Sequence, residues 1–200
     1  MSLVVEPLTG AAIKDAVPAL ARLRIAVFRD WPYLYDGSRS YEEGYLAEFA
    51  ASEGAVIIAA RDGDEIVGVA TASPLRGHTD AFVPLFEARG LDPDRMFYFG
   101  ESVLLPAYRG RGIGHAFFDG REAHARKMTG PKGAYTHTTF CGVIRPDDHP
   151  MRPKDYHPLD PFWMKRGYRK VDGLVGSFEW LDMGDAEKTK KPMQFWMKPL

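Results

Sequence analysis

The 200-residue chain predicts a single mixed α/β domain spanning residues 1–200. Three observations carry that expectation. Apolar runs of strand length and stretches of helical period follow one another in the order β-α-α-β-β-β-α-β-α-β-β. No internal repeat or low-complexity segment divides the chain. Hydrophobic residues make up 45% and charged residues 26%, the proportions of a globular domain with one sizeable core.

The elements follow in order. "SLVVEPL" (2–8) reads as a first strand. Thr9 is placed to cap a helix running to about Phe28, with Ile13, Ala16, Leu20, Leu23 and Val27 at helical spacing and Pro18 as a start or kink. An aromatic turn, "RDWPYLYDGSRS" (29–40), leads to a second helix, 41–51. "AVIIAARDGDEIVGVATAS" (55–73) reads as two strands joined at Asp62–Gly63–Asp64. Residues 74–95 form a loop with a short helix at 81–89. "MFYFGESVLL" (96–105) is a buried strand, 112–128 a helix, and "AYTHTTFCGVI" (134–144) another strand. Five prolines, at 146, 150, 153, 158 and 161, exclude regular structure from 145–161. A short helix in "PFWMKRG" ends at Gly167. Strands near 173–182 and 192–199 close the chain. "GDAEKTKK" (184–191) reads as a solvated hairpin tip, and "MQFWMKPL" as core and sheet edge.

Composition narrows function. The formal net charge of -1 gives no global attraction to nucleic acid or an anionic membrane, so neither is an expected partner. "MSLVVEPLTG" lacks the basic start and apolar run of a signal peptide, and no segment has the ~20 apolar residues of a membrane span. Cys141 is the only cysteine, which excludes an intrachain disulfide framework. A reduced, cytoplasmic protein is expected. Asp147, Asp148, His149 and His157 are metal-ligand types without a ligand spacing, so no metal is expected.

The most informative stretch is "PAYRGRGIGHAF" (106–117), between a strand and a helix. It lacks the Lys-Ser/Thr of a P-loop. Phe117 occupies the third glycine of a dinucleotide fingerprint. The pattern R-x-x-G-x-G fits, as Arg109, Gly112 and Gly114. Helix-opening amides have no intrahelical partner and carry partial positive charge, so such a turn suits a pyrophosphate. Gly110, Gly112 and Gly114 allow close backbone approach, and Arg109 and Arg111 add charge.

"LLPAYRGRGIG" resembles the acetyl-CoA motif of the GCN5-related N-acetyltransferase (GNAT) family almost residue for residue, and "FWMKRGY" (162–168) resembles the family's later helix ending. The resemblance implies a mostly antiparallel sheet of about seven strands flanked by about four helices. It implies acetyl-CoA as acyl donor, held by Ser102, Val103, Leu104, Arg109, Gly110, Arg111, Gly112, Ile113, Gly114 and His115. The acceptor is then an amine on a small molecule or on a protein, attacked directly in a ternary complex, and a homodimer is allowed.

An amine of pKa ~10.4 is neutral in only about one part in 2,500 at pH 7, a barrier of roughly 4.6 kcal/mol, so a proton acceptor is needed. Glu101 is the candidate base; its alternative is a group that only binds a cationic acceptor. A backbone N–H near Leu104 is the expected oxyanion donor. The family's usual tyrosine acid is replaced by Trp163, leaving Tyr156, Tyr168 and Tyr135 as substitutes, and a thiol of pKa ~8.5 can leave without one. The chain also has no asparagine for the family's pantetheine contact. Trp31, Tyr33, Tyr35 and His137 are candidate acceptor-site residues, with core covering as the alternative for the aromatics. The missing Tyr and Asn support a second reading, a non-catalytic acyl-CoA-binding module. A Cys141–His137 hydrolase is a distant third, since a packed cysteine explains Cys141 more simply.

Overall fold

In the computed structural model, residues 3–77 and 80–200 are described. Ser2 of the expected first strand, and residues 78 and 79 of the 74–95 loop, lie outside them. Seven strands form one sheet in the order β1-β2-β3-β4-β7-β9-β8. These are β1 (Leu3–Leu8), β2 (Val56–Asp62), β3 (Glu65–Pro74), β4 (Met96–Leu104), β7 (His137–Val143), β8 (Arg169–Trp180) and β9 (Thr189–Pro199). A small hairpin, β5 (Thr129–Gly130) and β6 (Gly133–Ala134), stands apart. All main pairings are antiparallel except β4 with β7.

Helices α1 (Ala11–Phe28), α2 (Arg39–Ala51), α3 (Val83–Glu87), α4 (Ile113–Lys127) and α5 (Asp160–Lys165) cover the sheet. Ile13, Leu20 and Leu23 of α1 join Leu46 and Phe49 of α2 over Ile57, Val69 and Val103. Phe117 and Phe118 of α4 pack against Ile58, Phe97, Phe99 and Phe140. α3 belongs to a third cluster, Phe82, Phe86, Tyr98, Leu174 and Phe195. Strands β2 and β3 are buried along almost their whole length because helices lie on both faces, which is why they read as unbroken apolar runs.

Several local expectations change. Gly10, not Thr9, precedes α1, and Pro18 sits inside an unbroken helix. Pro18 is the eighth residue of that helix, so the bond its missing N–H would have given to Lys14 O is forgone. The last strand is not an edge: β9 inserts between β7 and β8. The charged hairpin is only partly solvated, because Lys191 lies within β9, is 5% exposed, and pairs with Asp182 at 3.3 Å. The buried face of α4 carries two charged residues, Arg121 and Glu122, beside Ile113, Phe117 and Phe118. A hydrophobic pattern cannot assign charged residues to a core face when rings and carbonyls inside that core satisfy them.

Candidate active site

β4 and β7 start side by side, Met96 opposite His137 and Tyr98 opposite Thr139, and then pair no further. Beyond Tyr98 the strand keeps only β3 as a partner, and a gap opens toward β7. Halfway along, Ala70 faces Ser102 while Ala72 faces Phe99, so Thr71 stands opposite both Gly100 and Glu101. This is a β-bulge. Glu101 N–H donates to Thr71 Oγ1 at 3.2 Å, and Leu105 N–H donates to Val67 O at 3.0 Å, both toward β3. Peptide groups alternate along a strand, so the N–H groups of Ser102 and Leu104 face the gap. Val103 turns its side chain into the core.

The strand runs into the glycine turn. Gly110 and Gly112 take φ of 75° and 80°, the left-handed region, and Gly112 is the N-cap of α4 without a side-chain cap. A Cβ at either position would meet nothing within 4 Å. Backbone conformation demands glycine there, and the space beside it is open. Among the described residues no acceptor is seen for the amides of 110–114, while His115 and Ala116 bond back to Gly112 O. Arg109 and Arg111 are exposed, with Arg111 donating to Ala107 O and lying over the Tyr108 ring. Tyr108 donates to Asp62 at 3.0 Å and ties the turn to the β2–β3 connection. His115 packs edge-on against Phe162 of α5. An anionic group fits this uncapped helix start.

On the opposite face, Glu101 points toward α1. Arg24 Nη1 meets Glu101 Oε2 at 2.8 Å, and Arg24 Nε meets Glu42 Oε2 at 2.5 Å. Both carboxylates are buried. One arginine therefore bridges two acids on the α1 side of β4. Sequence reading missed Arg24 and Glu42 altogether, because their helical positions carry no motif. Tyr33 reaches the same place. Burial pushes its hydroxyl far above the usual phenol range; Cys141 adds to that, Arg24 opposes it, and Tyr156 and Glu101 contribute further.

The other sequence-derived residues divide. Trp31 lies 5.0 Å from the His149 ring and 5.9 Å from Tyr156, so the aromatic turn meets the Pro-rich segment. Burial raises the Tyr156 hydroxyl. Tyr35 bridges to Asp182 and lines a cavity of about 320 Å³ with Asp36, Gly37, Ser38, Glu179, Trp180, Leu181 and Lys188. Arg145 binds this region together, donating to Pro32 O, Tyr33 O and both Asp182 oxygens.

Tyr168 does not join the group. It is fully buried, its hydroxyl donates to Glu122 at 3.2 Å and meets Thr138 Oγ1 at 2.9 Å, and burial raises it far above the phenol range. Tyr135 packs on Phe97 at the far end of β4. His137 sits opposite Met96, five residues and roughly 16 Å of strand before Glu101. It is also roughly 13 Å from Cys141 along β7, too far for a nucleophile–base pair. Burial pushes the Cys141 thiol up to about 12, and Tyr98 Oη lies 3.3 Å away. Trp163 packs on Phe140 and Trp196. Among the described residues, no cluster of His, Cys, Asp or Glu stands ready for a metal ion, and no helix is long and apolar enough to cross a membrane.

A search of curated proteins returns no match. Solved structures share the fold at low identity. Ribosomal-protein-alanine N-acetyltransferase from Brucella melitensis superimposes with a TM-score of 0.61 at 14% identity, over 98% of this chain and 99% of that one. Arabidopsis thaliana NAA60 with a bisubstrate analogue gives 0.61 at 12% identity, over 100% and 99%. The same enzyme with acetyl-CoA gives 0.58 at 11%, over 100% and 99%. The profile of the Acetyltransferase (GNAT) family matches residues 20–145, which contain the α1 pairing, the bulged strand and the glycine turn. The chain belongs to the GNAT family of acetyltransferases.

Proposed function

We propose that the protein transfers an acetyl group from acetyl-CoA to an amine by direct attack within a ternary complex. One observation carries this reading: the uncapped, glycine-opened start of α4 lies at the end of a bulged strand whose free edge faces a gap. The amides of 110–114, with Arg109 and Arg111, suit the pyrophosphate; His115 stands beside them. The edge of Ser102, Val103 and Leu104 suits the pantetheine arm, and the Leu104 N–H is the oxyanion donor. Arabidopsis NAA60, which shares the fold, is described in complex with acetyl-CoA.

The acceptor enters from the α1–α2 face. Trp31, Tyr33, Tyr35 and Tyr156 form its surroundings, and Glu101 receives its proton. Arg24 occupies one Glu101 oxygen, leaving the other to the amine or a bridging water. With Tyr168 committed inside the core, Tyr156 is the remaining tyrosine candidate to protonate the leaving thiolate. Small-molecule amines and protein amines both fit this scheme, in a cytoplasmic setting.

Trp163 in place of the family's acid and the sequestered Tyr168 favour a second reading, an acyl-CoA-binding module without turnover. Calorimetric titration with acetyl-CoA, followed by release of free thiol across an amine panel, separates them. Binding with turnover supports the transferase. Binding without turnover on any amine supports the module. No binding of any CoA species overturns both.

A further inference from the structure

Arg121 is a charge the scheme above does not use. It lies in the middle of α4, is 1% exposed, and among the described residues no carboxylate pairs with it. Its guanidinium sits 4.3 Å from the Phe99 ring centre and 4.7 Å from that of Phe118. Nε donates to Phe117 O, Nη1 donates to Thr71 O at 3.4 Å, and Nη2 is buried without an acceptor. Burial pushes it down to about 10, so it stays charged at neutral pH. Glu122 and Glu101 favour the charge only from a distance, and a desolvated cation without a directly paired carboxylate is costly, so its position needs a reason.

Thr71 supplies the reason. It is the β3 residue opposite the bulge, where the ladder with β4 is interrupted. A bulge leaves backbone groups without their cross-strand partners. Here two such groups are taken up by one residue and its neighbour. Thr71 Oγ1 accepts the Glu101 N–H, and Thr71 O accepts from Arg121. The cation is in turn gripped by Phe99, the residue just before the bulge. Relaxation of β4 into regular pairing with β3 would take the Glu101 N–H from the Thr71 hydroxyl and shift the Phe99 ring against the cation, while Thr71 O and Arg121 hold the β3 side in place.

We propose that Thr71 and Arg121 are positioning residues for acyl transfer, a clamp that holds the β4 bulge and so keeps the Ser102 and Leu104 N–H groups facing the β7 gap. This rests on the acetyl-transfer reading above. The clamp acts on the reacting carbonyl through the strand, without touching the acceptor.

The test compares Thr71→Val, Arg121→Met and Arg121→Lys with the unaltered full chain. Steady-state kinetics with acetyl-CoA and hydrogen exchange of residues 99–104 are measured on each. Thr71→Val keeps the shape and removes only the hydroxyl acceptor, so it remains informative if Arg121→Met fails to fold. The expected result is a kcat lower by about tenfold to a hundredfold, the scale of a misplaced reacting group. KM for acetyl-CoA stays within about threefold, and exchange over 99–104 rises at least about tenfold relative to 56–62. Arg121→Lys recovers part of the loss. Folded variants with unaltered kcat overturn the proposal, as does exchange that rises equally across the sheet. If the unaltered protein acetylates no amine, the acetyl-transfer reading falls by itself, and the exchange pattern still decides whether the clamp exists.

Discussion

Replacing Gly112 separates backbone strain from charge in the glycine turn. Its φ of 80° and ψ of -4° cost an L-residue about 1–2 kcal/mol. A Cβ there meets nothing within 4 Å, so no clash adds to that. For a chain of this length, Gly112→Ala then lowers Tm by roughly 2–8 °C. Gly112→Asp pays the same strain, but a carboxylate at a helix start recovers about 0.3–1 kcal/mol through the helix dipole, so it is the more stable variant. Binding reverses that order. The site is exposed, so a negative charge near the pyrophosphate is screened and costs about 1–2 kcal/mol rather than the full Coulomb value. Gly112→Asp should therefore bind acetyl-CoA about five- to thirtyfold more weakly than Gly112→Ala, and the ratio should shrink in high salt. Thermal melts and calorimetry at two salt concentrations measure both orders. Equal affinity of the two variants at low salt refutes the pyrophosphate assignment.

Glu101→Gln should lower kcat most at acidic to neutral pH while sparing the acetyl-CoA Kd; an unchanged pH–rate profile demotes Glu101 to a bystander. Trp31→Ala should raise KM for the acceptor and leave KM for acetyl-CoA within about twofold, and the reverse pattern removes Trp31 from the acceptor side. Burial alone would raise the Asp182 carboxyl, but Arg145 and Lys191 hold it below the usual carboxylate range. The stability it contributes is thus present above about pH 4 and lost as pH falls below that. Asp182→Asn should melt lower at pH 7 and show a flatter loss of Tm below pH 4; parallel pH–Tm curves would contradict the pairing. Cys141→Ala should keep turnover within about twofold, because at neutral pH a thiol pushed up to about 12 offers almost no thiolate.

Much of the fold was legible because its signals are local. The turn at 62–64, the buried strand at 96–104 and the helix after the glycines each announce themselves within a dozen residues. The order β7-β9-β8 was not, because insertion of the last strand depends on pairing between residues far apart in the chain, such as Phe140 with Trp196. Lys191 read as solvated for the same reason: its partner Asp182 and the carbonyl of Trp180 lie across a strand pair.

The candidate site divides along the same line. In the proposed pyrophosphate site, Arg109, Gly112 and Gly114 count through residue type, backbone conformation and a helix end, which contiguous spacing suffices to specify. Glu101 was legible only as an acid on a strand. That it shares Arg24 with Glu42, that Tyr33 lies within its electrostatic reach, and that His137 and Tyr168 lie elsewhere are consequences of two helices and a splayed strand pair meeting in space. In the proposed scheme, a helix start suited to a phosphate is written in contiguous residues, while the acceptor side is assembled from distant ones that only packing brings together.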